Sequence, residues 1–224
     1  MAKTILICGK TGTGKTTSIR TLNPEETVIL CSINRTLPFK YGGKYVPNKN
    51  LFQTPTYDKV IKALKWANAK PEVKNVVLTD TTYISRQEFF SRIKEIGYNK
   101  FSELAIHMQQ IILAVQNMRD DMKVFIEFHV ENVEGDSGVV EYKASTVGKL
   151  LDDKYNIFEN VDIILFASPT YEDKNVTYGF YTNKTIDRIG SEIPAKTPME
   201  MFDELYIPND LQLVADKIDA YYSE

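Results

Sequence analysis

The chain has 224 residues, 43% hydrophobic and 25% charged, with a formal net charge of −3 and a pI near 5.6. These are the proportions of one ordinary globular domain. No apolar run approaches the roughly 20 residues of a membrane helix. The apolar run in MAKTILICGK is too short for a signal-peptide core. The acidic balance excludes strong non-specific nucleic-acid binding through bulk charge.

In chain order, residues 4–8 read as a buried strand and residues 15–22 as the helix that follows it. TVILCSI (27–33) is a second buried strand, and the Gly-, Pro- and Asn-rich stretch after it reads as loop. Residues 57–68 carry an imperfect apolar helical face of Val60, Ile61, Leu64 and Trp66. NVVLTD (75–80) is a third strand ending in an acid. A long helical region follows, in which Phe101, Leu104, Met108, Ile111, Ile112, Val115 and Met118 recur at spacings of three and four. KVFIEFHV (123–130) and VDIILFA (161–167) are the fourth and fifth strands, and TYGFYT (177–182) returns as a hairpin partner. The last segment has Leu211, Val214, Ile218 and Tyr221 at helical spacing, with Asn209 as its N-cap. Strands alternating with helices predict a single α/β domain over 1–224, with a mostly parallel sheet, helices on both faces and a C-terminal β-hairpin at its edge.

Between the first strand and first helix, Gly9, Lys10, Thr11, Gly12, Thr13, Gly14, Lys15 and Thr16 fit G-x-x-x-x-G-K-[ST], with Thr17 next. Glycines let successive backbone N–H groups turn toward phosphate oxygens, and a helix start favours anions. Lys15 is placed to reach β- and γ-phosphates, and Thr16 to ligate Mg²⁺. Asp80, at the end of a buried strand, is the candidate acid for the metal and its waters. On the fourth strand Val124, Ile126, Phe128 and Val130 face one way, and Phe125, Glu127, His129 and Glu131 the other. The second face is unusually polar. His129 is placed to sense a terminal phosphate, and Glu131 is a weaker candidate for activating water. His107 reads as structural. Cys8 and Cys31, in apolar runs and without metal spacing, read as buried thiols.

From Thr27 to Tyr57 there is no Asp or Glu, while Arg35, Lys40, Lys44 and Lys49 give a local charge of +4. Phe39, Tyr41, Tyr45, Phe52 and Tyr57 are interleaved. Cations along a backbone with rings for stacking suit single-stranded nucleic acid. The alternative is a loop whose rings pack underneath and whose lysines are solvated.

GKTGTGKTTSIRTLNPEET, INRTLPFK, NVVLTDTTY, GYNKFSELAIH, MRDDMKVFIEFHVE, TVGKLLDDK and AKTPMEMFDELYIPNDLQLV together resemble the signature blocks of a phage P-loop ATPase family. Its members are small AAA-type proteins with a RecA-like core, similar to phage single-strand annealing and recombination ATPases. The resemblance implies ATP and Mg²⁺ as ligands, Asp80 as the metal-associated acid and a functional His129. It further implies a homo-oligomer in the bacterial host cytoplasm, acting in DNA recombination, repair or replication on single-stranded DNA. RecA-like ATPases place cations from one protomer on a neighbour's phosphates, and Lys184, Arg188 and Lys196 lie in the matching region. Two departures bear on turnover more than on binding. Thr81 stands where a second acid often follows the strand-end aspartate, and Glu127-Phe128 replace an apolar and a small polar residue before the histidine. The other readings are a nucleotide-dependent assembly factor with little turnover, and a P-loop small-molecule kinase. A kinase usually needs an arginine-rich lid, and the six arginines here are scattered.

Overall fold

The computed structural model describes residues 1–134, 140–147 and 156–223. The sheet runs through β1 (Lys3–Gly9), β2 (Thr27–Cys31), β3 (Leu51–Gln53), β4 (Asn75–Thr79) and β5 (Lys123–Glu134). It continues through β6 (Val140–Ala144), β7 (Ile163–Glu172) and β8 (Asn175–Tyr181). Three short strands complete it: β9 (Thr185–Ile186), β10 (Glu192–Ile193) and β11 (Tyr206–Pro208). The main order is β11-β8-β7-β1-β5-β4-β2-β3, parallel from β7 to β3 and antiparallel at β7–β8 and β8–β11. The expected α/β architecture with a mostly parallel sheet is therefore present. Ile5, Leu6, Ile7 and Cys8 are wholly buried because β1 is covered on both faces.

Three helices cover one face: α1 (Tyr57–Asn68), α2 (Thr82–Ser91) and α3 (Asn99–Gln116). Val60 and Leu64 of α1 pack there with Ile84, Met108, Ile111 and Ile112 against Leu6, Val124 and Ile126. The opposite face is closed by α4 (Leu211–Tyr222) and a short 3-10 helix (Thr16–Thr21), through Leu211, Val214, Ile218 and Ile19 against Ile5, Ile7 and Phe125. Alternate β5 residues thus feed the two faces as the pattern predicts. Among the described residues, no helix is long and apolar enough to cross a membrane.

The structure departs from the sequence expectation in several places. The helix after the glycine loop is six residues of 3-10 helix rather than a helix over 15–22. Ser18 and Thr21 hydroxyls bond back to the carbonyls of Lys15 and Ser18, competing with helical bonding, and Asn23-Pro24 ends the segment. Its dipole is correspondingly small. The predicted hairpin forms as β7–β8, but β11 pairs with β8 and takes the edge. Asp210, rather than Asn209, caps α4 by accepting from the Leu213 N–H at 3.0 Å. On α1, Ala67 is buried while Trp66 remains 39% exposed. The block TVGKLLDDK falls mostly on residues 148–155, outside the described residues.

Candidate functional site

The carboxyl ends of β1 and β4 meet the middle of β5 beside the glycine loop. Register fixes what meets there: Gly9 lies beside His129 and Ile7 beside Glu127. Ligand sites in parallel sheets lie at such strand ends, where connections diverge to opposite sides. A cavity of about 250 Å³ opens here, lined by the loop from Thr11 to Thr17 and by Arg35, Asp80, His129 and Tyr178.

The loop is held open by glycines in left-handed backbone, Gly12 at φ 80° and Gly14 at φ 91°. A Cβ on Gly14 would lie 3.0 Å from Tyr178 Cδ1 and 3.2 Å from Asn209 Nδ2, so this residue is also fixed by space. Asn209 is buried; its Nδ2 donates to the Gly14 carbonyl at 3.1 Å, and its Oδ1 accepts from Arg20 at 2.6 Å. Sequence reading assigns this residue to a helix cap; instead it ties the start of α4 to the loop.

Lys15 turns inward. Its Nζ donates to the carbonyls of Gly9 and Lys10, both at 2.8 Å, and lies 3.5 Å from His129 Nδ1. Burial pushes its ammonium below lysine's usual range, opposed by the negative charge of Glu127 and Asp80 nearby. With Lys15 as donor, His129 Nδ1 is the acceptor. Nε2 faces Asp80 Oδ1 at 3.5 Å.

The acid in contact with the loop is Glu127. Thr16 Oγ1 donates to Glu127 Oε2 at 2.7 Å. Glu127 is 1% exposed, and its Oε1 has no hydrogen-bond partner among the described residues. Burial pushes its pKa up to about 7; the Thr16 bond opposes this and Asp80 adds to it. The backbone knits β4 to β5 at this point, where Thr81 N–H donates to the Glu127 carbonyl at 3.1 Å. Thr81 turns its hydroxyl to the Leu78 carbonyl and supplies no acid.

Asp80 is buried and has left-handed backbone, φ 55°, a strained choice for a non-glycine residue that clusters at functional sites. Its Oδ2 lies 2.6 Å from Arg35 Nη2. The contact is ionic and not an aligned hydrogen bond, because Asp80 Oδ2 has no aligned donor among the described residues. The same Arg35 nitrogen donates to Thr16 Oγ1 at 3.0 Å, so Asp80 reaches the loop through Arg35.

The structure thus gathers Gly9–Thr17, Asp80 and His129. Glu131 is not brought in: it is exposed on β5, opposite Lys143, and does not line the cavity. Strand alternation puts Glu127 on the polar face of β5 with His129 and Glu131, and the structure buries Glu127 while leaving Glu131 exposed. Arg35 had no comparable signal, because a loop of this length carries no register. Lys184 is exposed and pairs with Glu192, Arg188 is exposed, and Lys196 joins β7 through its backbone; none lines the cavity.

A divalent cation in the cavity would find Thr16 Oγ1 and the Asp80 carboxylate, hard oxygens that suit Mg²⁺ with phosphate and water oxygens completing the set, while Glu127 lies behind Thr16. Among the described residues there is no group of three or more His, Cys, Asp or Glu side chains arranged to hold a metal alone. His107 is structural as expected, with Nδ1 at 2.9 Å from both Glu88 oxygens and its ring stacked on Tyr57. Cys8 and Cys31 are buried free thiols, and burial raises both pKa values.

In the acid-free stretch Lys40, Lys44 and Lys49 are exposed. The rings are used internally. Phe39, Tyr41 and Tyr45 make edge contacts at 6.0–6.4 Å, Phe52 packs on Trp66 at 5.0 Å, and Tyr45 is buried. No protein-family model matches the chain, and no curated protein sequence matches it significantly.

Proposed function

We propose that this chain binds a nucleoside triphosphate with Mg²⁺ at the Gly9–Thr17 loop and hydrolyses it, ATP being the nucleotide that the family resemblance favours. The observation that carries the reading is the convergence, at the strand ends, of a glycine loop, a buried lysine and two buried carboxylates around one loop threonine. The mostly parallel sheet, with the loop after β1 and Asp80 after β4, supports the RecA-like form of this reading.

The loop N–H groups and Lys15 bind and orient the phosphates. Mg²⁺, when bound, neutralises phosphate charge, and Thr16 and Asp80 would hold it. Glu127 supplies the second acid that Thr81 does not. Bonded to Thr16, it is the candidate acceptor for the proton of the attacking water, as the water oxygen bonds to phosphorus and the bond to the leaving diphosphate breaks. His129 spans Lys15 and Asp80 and so connects the phosphate end to the acid.

The resemblance extends the proposal to DNA recombination, repair or replication. The exposed Lys40, Lys44 and Lys49 support contact with a nucleic-acid backbone, while the packed rings argue against base stacking in this segment. A nucleotide-dependent assembly factor is the second reading, favoured by Thr81. The kinase reading is weakened because Arg20, Arg86, Arg92 and Arg119 are engaged with Asn209, Ser145, acidic side chains and backbone carbonyls rather than forming a lid. Phosphate release with and without single-stranded DNA separates the three: stimulated turnover, transfer to an acceptor, or neither.

A further inference from the structure

We infer that Arg35 reads the terminal phosphate of the bound nucleotide and makes the site prefer triphosphate over diphosphate. The inference rests on the nucleotide reading above. Arg35 Nη2 contacts both Asp80 Oδ2, at 2.6 Å, and Thr16 Oγ1, at 3.0 Å. These are two of the groups that fit a divalent cation. The guanidinium and a divalent cation compete for them, since both positive charges would occupy one pocket. When Arg35 gives them up, its charge needs another anion. It lines the cavity on the same side as Lys15, Asp80 and His129, which is the end of the loop where a terminal phosphate lies if Lys15 neutralises β/γ charge. A guanidinium presents a fork of donors that matches phosphate oxygens.

The side chain is 41% exposed, so it has room to turn, whereas Asp80, at 2%, is fixed. Arg35 belongs to the segment between β2 and β3 that also carries Lys40 and Lys44. A contact from Arg35 to the terminal phosphate therefore reports the state of the nucleotide to the basic segment, and loss of that phosphate returns Arg35 to Asp80. The contact is made in cis and needs no cation from a neighbouring protomer.

The test is equilibrium binding of a non-hydrolysable ATP analogue and of ADP, each with Mg²⁺, to the parent, Arg35→Ala and Arg35→Lys. Thermal unfolding without nucleotide confirms that each variant is folded. The expected result is a triphosphate preference in the parent that falls at least about tenfold in Arg35→Ala, chiefly through the analogue, with Arg35→Lys between them. Parent binding of both ligands with the same preference retained in Arg35→Ala overturns this inference and leaves the nucleotide reading standing. Failure of the parent to bind either ligand overturns both. If Arg35→Ala unfolds, the comparison of Arg35→Lys with the parent decides: an unchanged preference for a point charge in place of the fork counts against the inference.

Discussion

Thr16 donates its hydroxyl hydrogen to Glu127 at 2.7 Å, joining the last residue of the glycine-loop motif to a wholly buried acid on the neighbouring strand. The bond places a buried carboxyl beside the loop from β5, while Asp80, just after β4, is engaged by Arg35. The two carboxylates are therefore not equivalent, and substitutions at each should separate.

Glu127→Gln keeps the shape and the acceptor for Thr16 but removes the titrating proton. Turnover should fall at least about tenfold, with nucleotide affinity changed far less. Phosphate-release and binding measurements on the same preparations check this; equal turnover in variant and parent makes Glu127 structural.

The same substitution has a pH signature. Glu127 holds its proton up to about pH 7 in the folded chain, above the ordinary glutamate value of 4.5. A raised carboxyl pKa contributes stability that is complete below the unfolded value and is lost as pH rises through the folded one. Between pH 4.5 and 7 the parent should therefore lose stability relative to Glu127→Gln, by on the order of 3 kcal/mol. Urea midpoints of the two proteins across this range test it; parallel curves contradict the protonated, buried carboxyl.

The loop glycines should differ in tolerance. Gly12→Ala meets no atom of the described residues within 4 Å, and its φ of 80° costs about 1–2 kcal/mol. Gly14→Ala adds contacts with Tyr178 and Asn209 to a φ of 91° and should destabilise more. Melting temperatures rank the two; a Gly14→Ala protein as stable as Gly12→Ala contradicts the packing described around Gly14.

The exposed lysines give a prediction about salt. If Lys40 and Lys44 touch a single-stranded phosphate backbone, replacing both by Ala should flatten the salt dependence of binding by about 0.7 for each phosphate no longer neutralised. Tyr45→Ala should instead destabilise the fold by about 3 kcal/mol, since its ring is buried. Anisotropy of a labelled oligonucleotide across salt concentrations and thermal unfolding make the two measurements; no binding by the parent at low salt removes the DNA role.

Much of this site was legible because parallel strands impose strong patterns. Ile5 to Cys8 and Val76 to Leu78 are continuous apolar runs, and buried strands are what carry the loop and Asp80 to one end of the sheet. The motif spacing located Lys15 and Thr16 without structure. What was not legible depends on contacts distant in sequence. Arg35 reaches Asp80 through a long loop with no periodicity, and Asn209 reaches Gly14 from the other end of the chain. Asn209 and Asp210 are both good cap residues, so propensity could not choose between them; the bond to the loop did. Glu131, the weaker candidate for activating water, shares the polar face of β5 with His129, but β5 runs on to Glu134 and pairs with β6, which leaves Glu131 on the exposed extension.

The Gly9–Thr17 loop is proposed to bind the phosphates of a nucleotide through Lys15. Its most direct test is titration of parent and Lys15→Ala with a fluorescent ATP analogue in the presence of Mg²⁺, with folding of both verified by thermal unfolding. The Lys15 ammonium bonds the loop carbonyls from inside, so the expected result is saturable binding by the parent and an affinity at least about tenfold weaker in the variant. Equal affinity in two folded proteins, or no binding by either, would contradict it.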